Sequence, residues 1–382
     1  MRRLLIFVAT VVFVDTVFFS ALTPLLPRYS DELGLTKSEA GMLAAAYAAG
    51  TFAGAVPAGW LAAHAGVRPT VLTGLALMSS ASVAFAFGES IVVLDVARFL
   101  QGVGGAASWA GALAWLIAAA PVERRGELIG SALGAAIAGA LFGPALGALA
   151  DALGPRLVFS GVAVVGAGMM GWAMRMPRVA PEGARMQSLG AGLRDPRIYG
   201  GMWLVALPGL IFGTLGVLGP LRLDALGAGT VLIALVFLAA AGLEAVVSPV
   251  AGRLADRRGR LLPALIGVSA AAVPVALIPW PDALWGIAAL VVLTGPTVGM
   301  LWAPALAMLS DVAEGHGIAQ GMAFSVMNLA WAAGQTLGAA GSARMAERTG
   351  DAVPFVLLAA LCAASALVIA RASRRRVVAP VL

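Results

Sequence analysis

Apolar blocks long enough to cross a bilayer recur almost from end to end of this chain, and that recurrence leaves few folds open to it. A hydrocarbon core of about 30 Å takes roughly 20 apolar residues of helix, and in lipid every backbone N–H and C=O must be satisfied within its own helix. Breaks at polar, Gly and Pro clusters divide the 382 residues into predicted spans near 4–27, 40–63, 70–88, 91–119, 127–150, 155–177, 198–221, 229–252, 261–280, 283–310, 318–343 and 352–371. With 60% hydrophobic and 12% charged residues and a mean hydropathy of +0.94, lipid rather than water is the main solvent. The longest polar stretch, 178–197, links two halves.

The net charge of +6 and a pI near 10.6 are a footprint shared with nucleic-acid-binding proteins, but the arginines occupy short turns between apolar blocks, which excludes a basic domain. With the N-terminus cytoplasmic, eighteen of the 25 Lys and Arg fall on that side, six on the other, and Arg98 lies within a span. The positive-inside rule then places both termini in the cytoplasm, in the plasma or inner membrane of a prokaryote-like cell. Met1 to Leu22 reads as a first span and not a signal peptide, because Asp15 interrupts the apolar stretch and no A-x-A-like site follows. The lone Cys362 excludes an internal disulfide, and His64 and His316, both in predicted loops, lack partners at metal-ligand spacing. With no HExxH, GxSxG or Walker loop, neither an enzyme nor a cofactor is expected.

Sliding the chain over itself by 193 residues aligns Leu100-Gln-Gly102 through Trp109-Ala-Gly-Ala-Leu-Ala-Trp-Leu116 with Leu293-Thr-Gly295 through Trp302-Ala-Pro-Ala-Leu-Ala-Met-Leu309. The same shift sets Gly59-Trp-Leu-Ala on Gly252-Arg-Leu-Ala255, and Gly66 on Gly259. An even number of spans per repeat makes the halves parallel, as in transporters that rock two bundles about a midplane site. The expected fold is therefore an all-α membrane protein of twelve transmembrane helices. These form two six-helix bundles, 1–177 and 198–382, related by a pseudo-two-fold along the membrane normal and joined by a cytoplasmic linker at 178–197.

Four stretches carry a resemblance to the major facilitator superfamily, and to its twelve-helix drug:proton antiporters in particular. The segment between spans eight and nine, Gly252-Arg-Leu-Ala-Asp256-Arg257-Arg-Gly259-Arg260, resembles that superfamily's signature cytoplasmic loop, where a carboxylate and guanidinium at helix ends can latch one conformation. Its first-half counterpart keeps Gly59, Gly66 and Arg68 but has Ala63 and His64 where the pattern wants an acid and a base, so gating is assigned to Gly252, Asp256, Arg257, Gly259 and Arg260. In span four, Arg98-Phe-Leu-Gln101-Gly102 is similar to a family motif that the resemblance links to proton transfer, and an arginine inside a membrane is a functional candidate in its own right. Span five, with Gly139, Gly143, Pro144 and Gly147, is similar to the antiporter motif. Its small residues allow close helix approach, and its proline removes a backbone donor.

Span one, Asp15 to Pro27, is similar to the first helix of those antiporters. At 1.5 Å per residue Asp15 lies about 17 Å from the cytoplasmic end, near the midplane, where a carboxylate withdrawn from water is suited to carrying a proton. Glu244 in span eight, about 12 Å from the same face, is the second carboxylate candidate. Asn328, Gln335, Trp203, Trp109, Trp302 and Trp331 are candidates for lining a cavity. The resemblance implies a monomer that exports small organic compounds against protons, with small-molecule substrate, protons and membrane lipid as its partners. Import or exchange of a metabolite on the same fold is the alternative.

Overall fold

The computed structural model describes residues 2–121, 125–177, 194–316 and 320–378. Most of the predicted linker, 178–193, lies outside the described residues, as do Arg124, Arg178 and Arg185. The described part is helical: α1 (Arg2–Ser20), α2 (Leu26–Leu33), α3 (Lys37–His64), α4 (Val67–Ala86), α5 (Ile91–Ala119), α6 (Arg125–Leu153), α7 (Pro155–Met174), α8 (Pro196–Ala225), α9 (Thr230–Arg258), α10 (Leu261–Leu277), α11 (Leu284–Gly315), α12 (Gln320–Thr336), α13 (Ser342–Thr349) and α14 (Ala352–Val378). Ten of these stretches, counting α1 and α2 as one, are long and apolar enough to cross a membrane, and α10 is a shorter apolar helix.

Local signals in the sequence set the starts. Thr36 and Glu39 form a reciprocal capping box at α3. Ser90 caps α5, and Asp195 caps α8 ahead of Pro196 at the first helical position. Gly66 and Gly259, one repeat offset apart, both adopt positive φ, +94° and +85°, the conformation glycine adopts without a Cβ clash. Each therefore breaks one helix and opens the next at the same place in its half.

Four segments depart from the sequence expectation. The first span does not stop at 27. Its helix tightens into a 3₁₀ turn at Thr23–Leu25, then runs on as α2 to Gly34, because Pro24 has no N–H to give the Ser20 carbonyl. The expected latch loop is helical through Arg258, and only Gly259 and Arg260 separate α9 from α10. Leucine, alanine and arginine are good helix formers, so this basic segment extends the helix beyond its apolar part. His64 likewise sits in the last turn of α3, stacked on Trp60, not in a loop. In the eleventh span a π turn at Leu337–Gly341 separates α12 from α13.

The helices pack in a repeated pattern. α3 and α4 flank α5 as α9 and α10 flank α11. α1 lies on α6 as α8 lies on α12, and α4 meets α7 as α10 meets α14. Glycines set these approaches. A Cβ on Gly102 would overlap the Tyr47 backbone, and one on Gly295 would overlap Ala240, one offset later in both partners. The halves touch along α3 with α12 and along α6 with α9.

Candidate functional site

Between the halves lies a cavity of about 430 Å³, reached by α1, α3, α5 and α6 from one side and by α8, α9, α11 and α12 from the other. Its walls are mostly apolar and aromatic, among them Phe19, Phe212, Phe237 and Trp331. Among the described residues, the ionisable side chains that line it are Asp15, Arg98 and Glu244, with Tyr47 beside them.

Asp15, 4% exposed, has both carboxylate oxygens occupied. Tyr47 Oη donates to Oδ1 at 2.7 Å, and Trp109 Nε1 donates to Oδ2 at 2.7 Å. Gly105 leaves the space for this arrangement, since a Cβ there would collide with both the Tyr47 hydroxyl and Asp15 Oδ1.

Arg98, 3% exposed, makes no ion pair with Asp15. Its Nη1 donates to the Phe18 carbonyl at 3.2 Å and to Gln101 Oε1 at 3.1 Å, and its Nη2 donates to the Phe19 carbonyl at 3.1 Å. Those carbonyls belong to the last turn of α1, where the chain tightens ahead of Pro24 and the regular helical donors are missing. Arg98 supplies them, at the negative end of the helix dipole. Gln101 is held in turn by its Nε2 on Ser82 Oγ. The guanidinium also sits 5.1 Å from the Tyr47 ring centroid, so Tyr47 is the link between Arg98 and Asp15.

Across the cavity, Trp302 Nε1 donates to Glu244 Oε1 at 2.7 Å. The span-five glycines seat α6 on α1: Gly139 faces the Phe13 carbonyl, Gly143 faces Ser20, and Gly147 faces the Ala21 carbonyl and Pro24. Pro144 lines the cavity between them, and Asn328 and Gln335 line it from α12. Trp203 does not reach the cavity; it donates to Ser365 Oγ at 2.9 Å.

In the last turns of α9, beyond Gly252, Asp256 and Arg257 are exposed, and no ion pair joins either to another described residue. Arg260 makes the contact there, donating to the Ala307 carbonyl at 2.8 Å and pairing with Asp311 on α11. The sequence did not single out Asp311 or Tyr47. Tyr47 carried a usable signal, as one of three tyrosines in the chain, placed inside an apolar span. Asp311 gave none, because nothing in the repeat matches it.

At the opposite end the halves are tied together. Lys37 Nζ pairs with Asp351 at 2.5 Å, and the Ser38 N–H donates to Glu347 at 2.8 Å. The hydrogen bonds from Ser38 hold the Glu347 carboxyl below its usual range.

A family model described as Major Facilitator Superfamily matches residues 8–339. Over 306 residues the chain is 26% identical to the synaptic vesicular amine transporter of Homo sapiens, covering 76% of this chain and 58% of that protein. Over 271 residues it is 30% identical to the chloramphenicol resistance protein of Streptomyces lividans, covering 68% and 67%. A shorter stretch of 130 residues is 35% identical to the MFS-type transporter ppzB of Metarhizium rileyi, covering 32% and 27%. The match thus spans less than two thirds of the amine transporter and of ppzB. Among solved structures, the xylose transporter XylE from E. coli superposes with a TM-score of 0.75 at 14% identity, covering 96% and 97% of the two chains. A POT family transporter superposes with a TM-score of 0.78 at 15% identity, covering 97% and 96%.

Proposed function

The chain belongs to the major facilitator superfamily, and from that premise we propose that it is a secondary active transporter exporting small, amphipathic, cationic organic compounds in exchange for protons. Twelve membrane helices in two six-helix bundles, joined by a cytoplasmic linker, would rock about the cavity. Both termini would face the cytoplasm, as the arginine bias requires. The α2–α13 end, tied by Lys37 and Asp351, would then face outward.

The observation that carries this reading is Asp15: a carboxylate buried in the wall of an apolar cavity, held in place by two neutral donors and unpaired with any cation among the described residues. Such a group is stable beside a proton or beside a cationic cargo, and it holds one at a time. Exchange follows from that competition. A proton taken up on the outward side displaces cargo, and a proton given up on the inward side frees the carboxylate to load the next molecule. Arg98 fixes the end of α1 and reaches Asp15 through Tyr47, so protonation is coupled to the seating of that helix. The span-five glycines let α6 slide closely on α1, and the segment from Gly252 to Arg260, the end of α9 and its junction with α10, gates the inward end. The names of two relatives, an amine transporter and a chloramphenicol resistance protein, support an organic cargo.

The test is movement of fluorescent cations driven by a pH gradient in proteoliposomes, comparing wild type with Asp15→Asn. Gradient-driven movement in wild type that Asp15→Asn abolishes, with downhill exchange retained, is the expected result. Transport indifferent to both the gradient and the substitution would leave a facilitator and end the antiporter reading.

A further inference from the structure

The proton cycle at Asp15 leaves one feature of the cavity unused. Trp109 and Trp302 stand one repeat offset apart, and each gives its indole N–H to a carboxylate at 2.7 Å, Trp109 to Asp15 and Trp302 to Glu244. The repeat accounts for the tryptophans but not for the acids. The position equivalent to Asp15 is Pro208, and the one equivalent to Glu244 is Thr51. Each indole has thus acquired an acid from a different helix, α1 in one half and α9 in the other, and both acids line the same cavity.

Charge is unbalanced there. Among the described residues Arg98 is the cation of the lining, and its Nη1 and Nη2 are committed to the Phe18 and Phe19 carbonyls and to Gln101. Glu244 Oε2 has no hydrogen-bond partner among the described residues, and no ion pair among them reaches either acid. A carboxylate withdrawn from water without a counter-charge is costly, and an indole beside it offers a cation an aromatic face as well as a fixed anion. The rest of the lining is mostly apolar, with Phe19, Ile137, Phe212, Phe237, Leu306 and Trp331 among it and Asn328 and Gln335 as polar exceptions.

We infer that the cavity seats a dicationic cargo, two ammonium-type centres on an apolar spacer, with one at the Asp15–Trp109 pair and the other at the Glu244–Trp302 pair. The inference rests on the exporter reading and names its substrate class.

The probes are α,ω-bis(trimethylammonium)alkanes of graded chain length and the matched alkyltrimethylammonium monocations, whose charge does not vary with pH. Binding to the purified wild-type protein in lipid nanodiscs is measured by calorimetry. One chain length of the bisquaternary series is expected to bind at least about tenfold tighter than its monocation, the size of one desolvated cation–aromatic contact. Glu244→Gln, which keeps an acceptor for Trp302, is expected to bring that ratio to near one, and Trp302→Phe to lower it. A wild-type ratio near one at every chain length overturns the inference, and so does a high ratio that Glu244→Gln leaves intact. The exporter reading is tested separately, by pH-gradient-driven movement of the monocation in wild type. If that persists while the ratio is one, the second seat fails and the exporter stands.

Discussion

Asp15 and Arg98 are both buried and both face the cavity, yet they do not touch, and Tyr47 is what joins them. This separates their roles. Arg98 bonds two carbonyls at the end of α1 through a planar fork that a lysine ammonium cannot reproduce. Arg98→Lys is therefore expected to lower stability by about 1.5–3 kcal/mol, the range for hydrogen bonds to a charged group, read as a fall in the melting midpoint of the detergent-solubilised protein. Tyr47→Phe keeps the ring under the guanidinium and removes only the donor to Oδ1. It is expected to lower that midpoint too, because a buried carboxylate oxygen loses its donor, and to slow pH-driven cation movement by about tenfold. In an Asp15→Asn background the same change should do little further, and equal effects in both backgrounds would show that Tyr47 does not act through Asp15. The two ends of this trio, Asp15 and Arg98, were legible in the sequence because charges stand out in apolar spans. Their connection was not, since Tyr47 lies on a third helix and only packing brings its hydroxyl to Asp15.

At the scale of the helices, the offset of 193 carries most of what the chain discloses about itself. It aligned Gly102 with Gly295 before any contact was visible, and each proves to press on its neighbour's backbone, Tyr47 and Ala240 respectively. Backbone cannot withdraw as a flexible side chain can, so Gly102→Ala and Gly295→Ala are each expected to cost about 1–3 kcal/mol of stability by overpacking. Gly130→Ala, with nothing near its absent Cβ, should cost far less and serves as the control in the same thermal melts. The repeat was blind wherever one half departs from the other. The Arg260–Asp311 pair has no first-half counterpart. The polar end of α9 read as a loop because charge was taken for irregularity, although charged residues extend a helix into water readily. The π turn at Leu337–Gly341 also left no mark, because its glycines and alanines are as common in straight membrane helices as in distorted ones.

Over the molecule as a whole, closure of the α2–α13 end depends on a few polar contacts between the halves, chiefly Lys37 with Asp351 and Ser38 with Glu347. Glu347 gives this closure a pH dependence whose sign can be worked out. Its carboxyl titrates below the ordinary glutamate value of 4.5 in the closed structure because Ser38 hydrogen-bonds its charged form. Opening removes those donors and returns it toward the ordinary value. Its contribution to closure is therefore full at pH well above 4.5 and is lost as pH falls through the lowered value of the closed state. Solvent-exposed polar contacts of this kind contribute little singly, so removing them should shift the balance of states rather than unfold the protein. Spin labels in turns 34–36 and 226–229 report the separation at this end by pulsed electron resonance. At pH 7, Lys37→Ala and Glu347→Gln are each expected to raise the open fraction by roughly two- to five-fold. Acidifying the wild type below pH 4.5 should raise it in the same direction, and Glu347→Gln should blunt that response, because glutamine has no proton to gain. If the acid response survives undiminished in Glu347→Gln, closure at this end is governed by some other group.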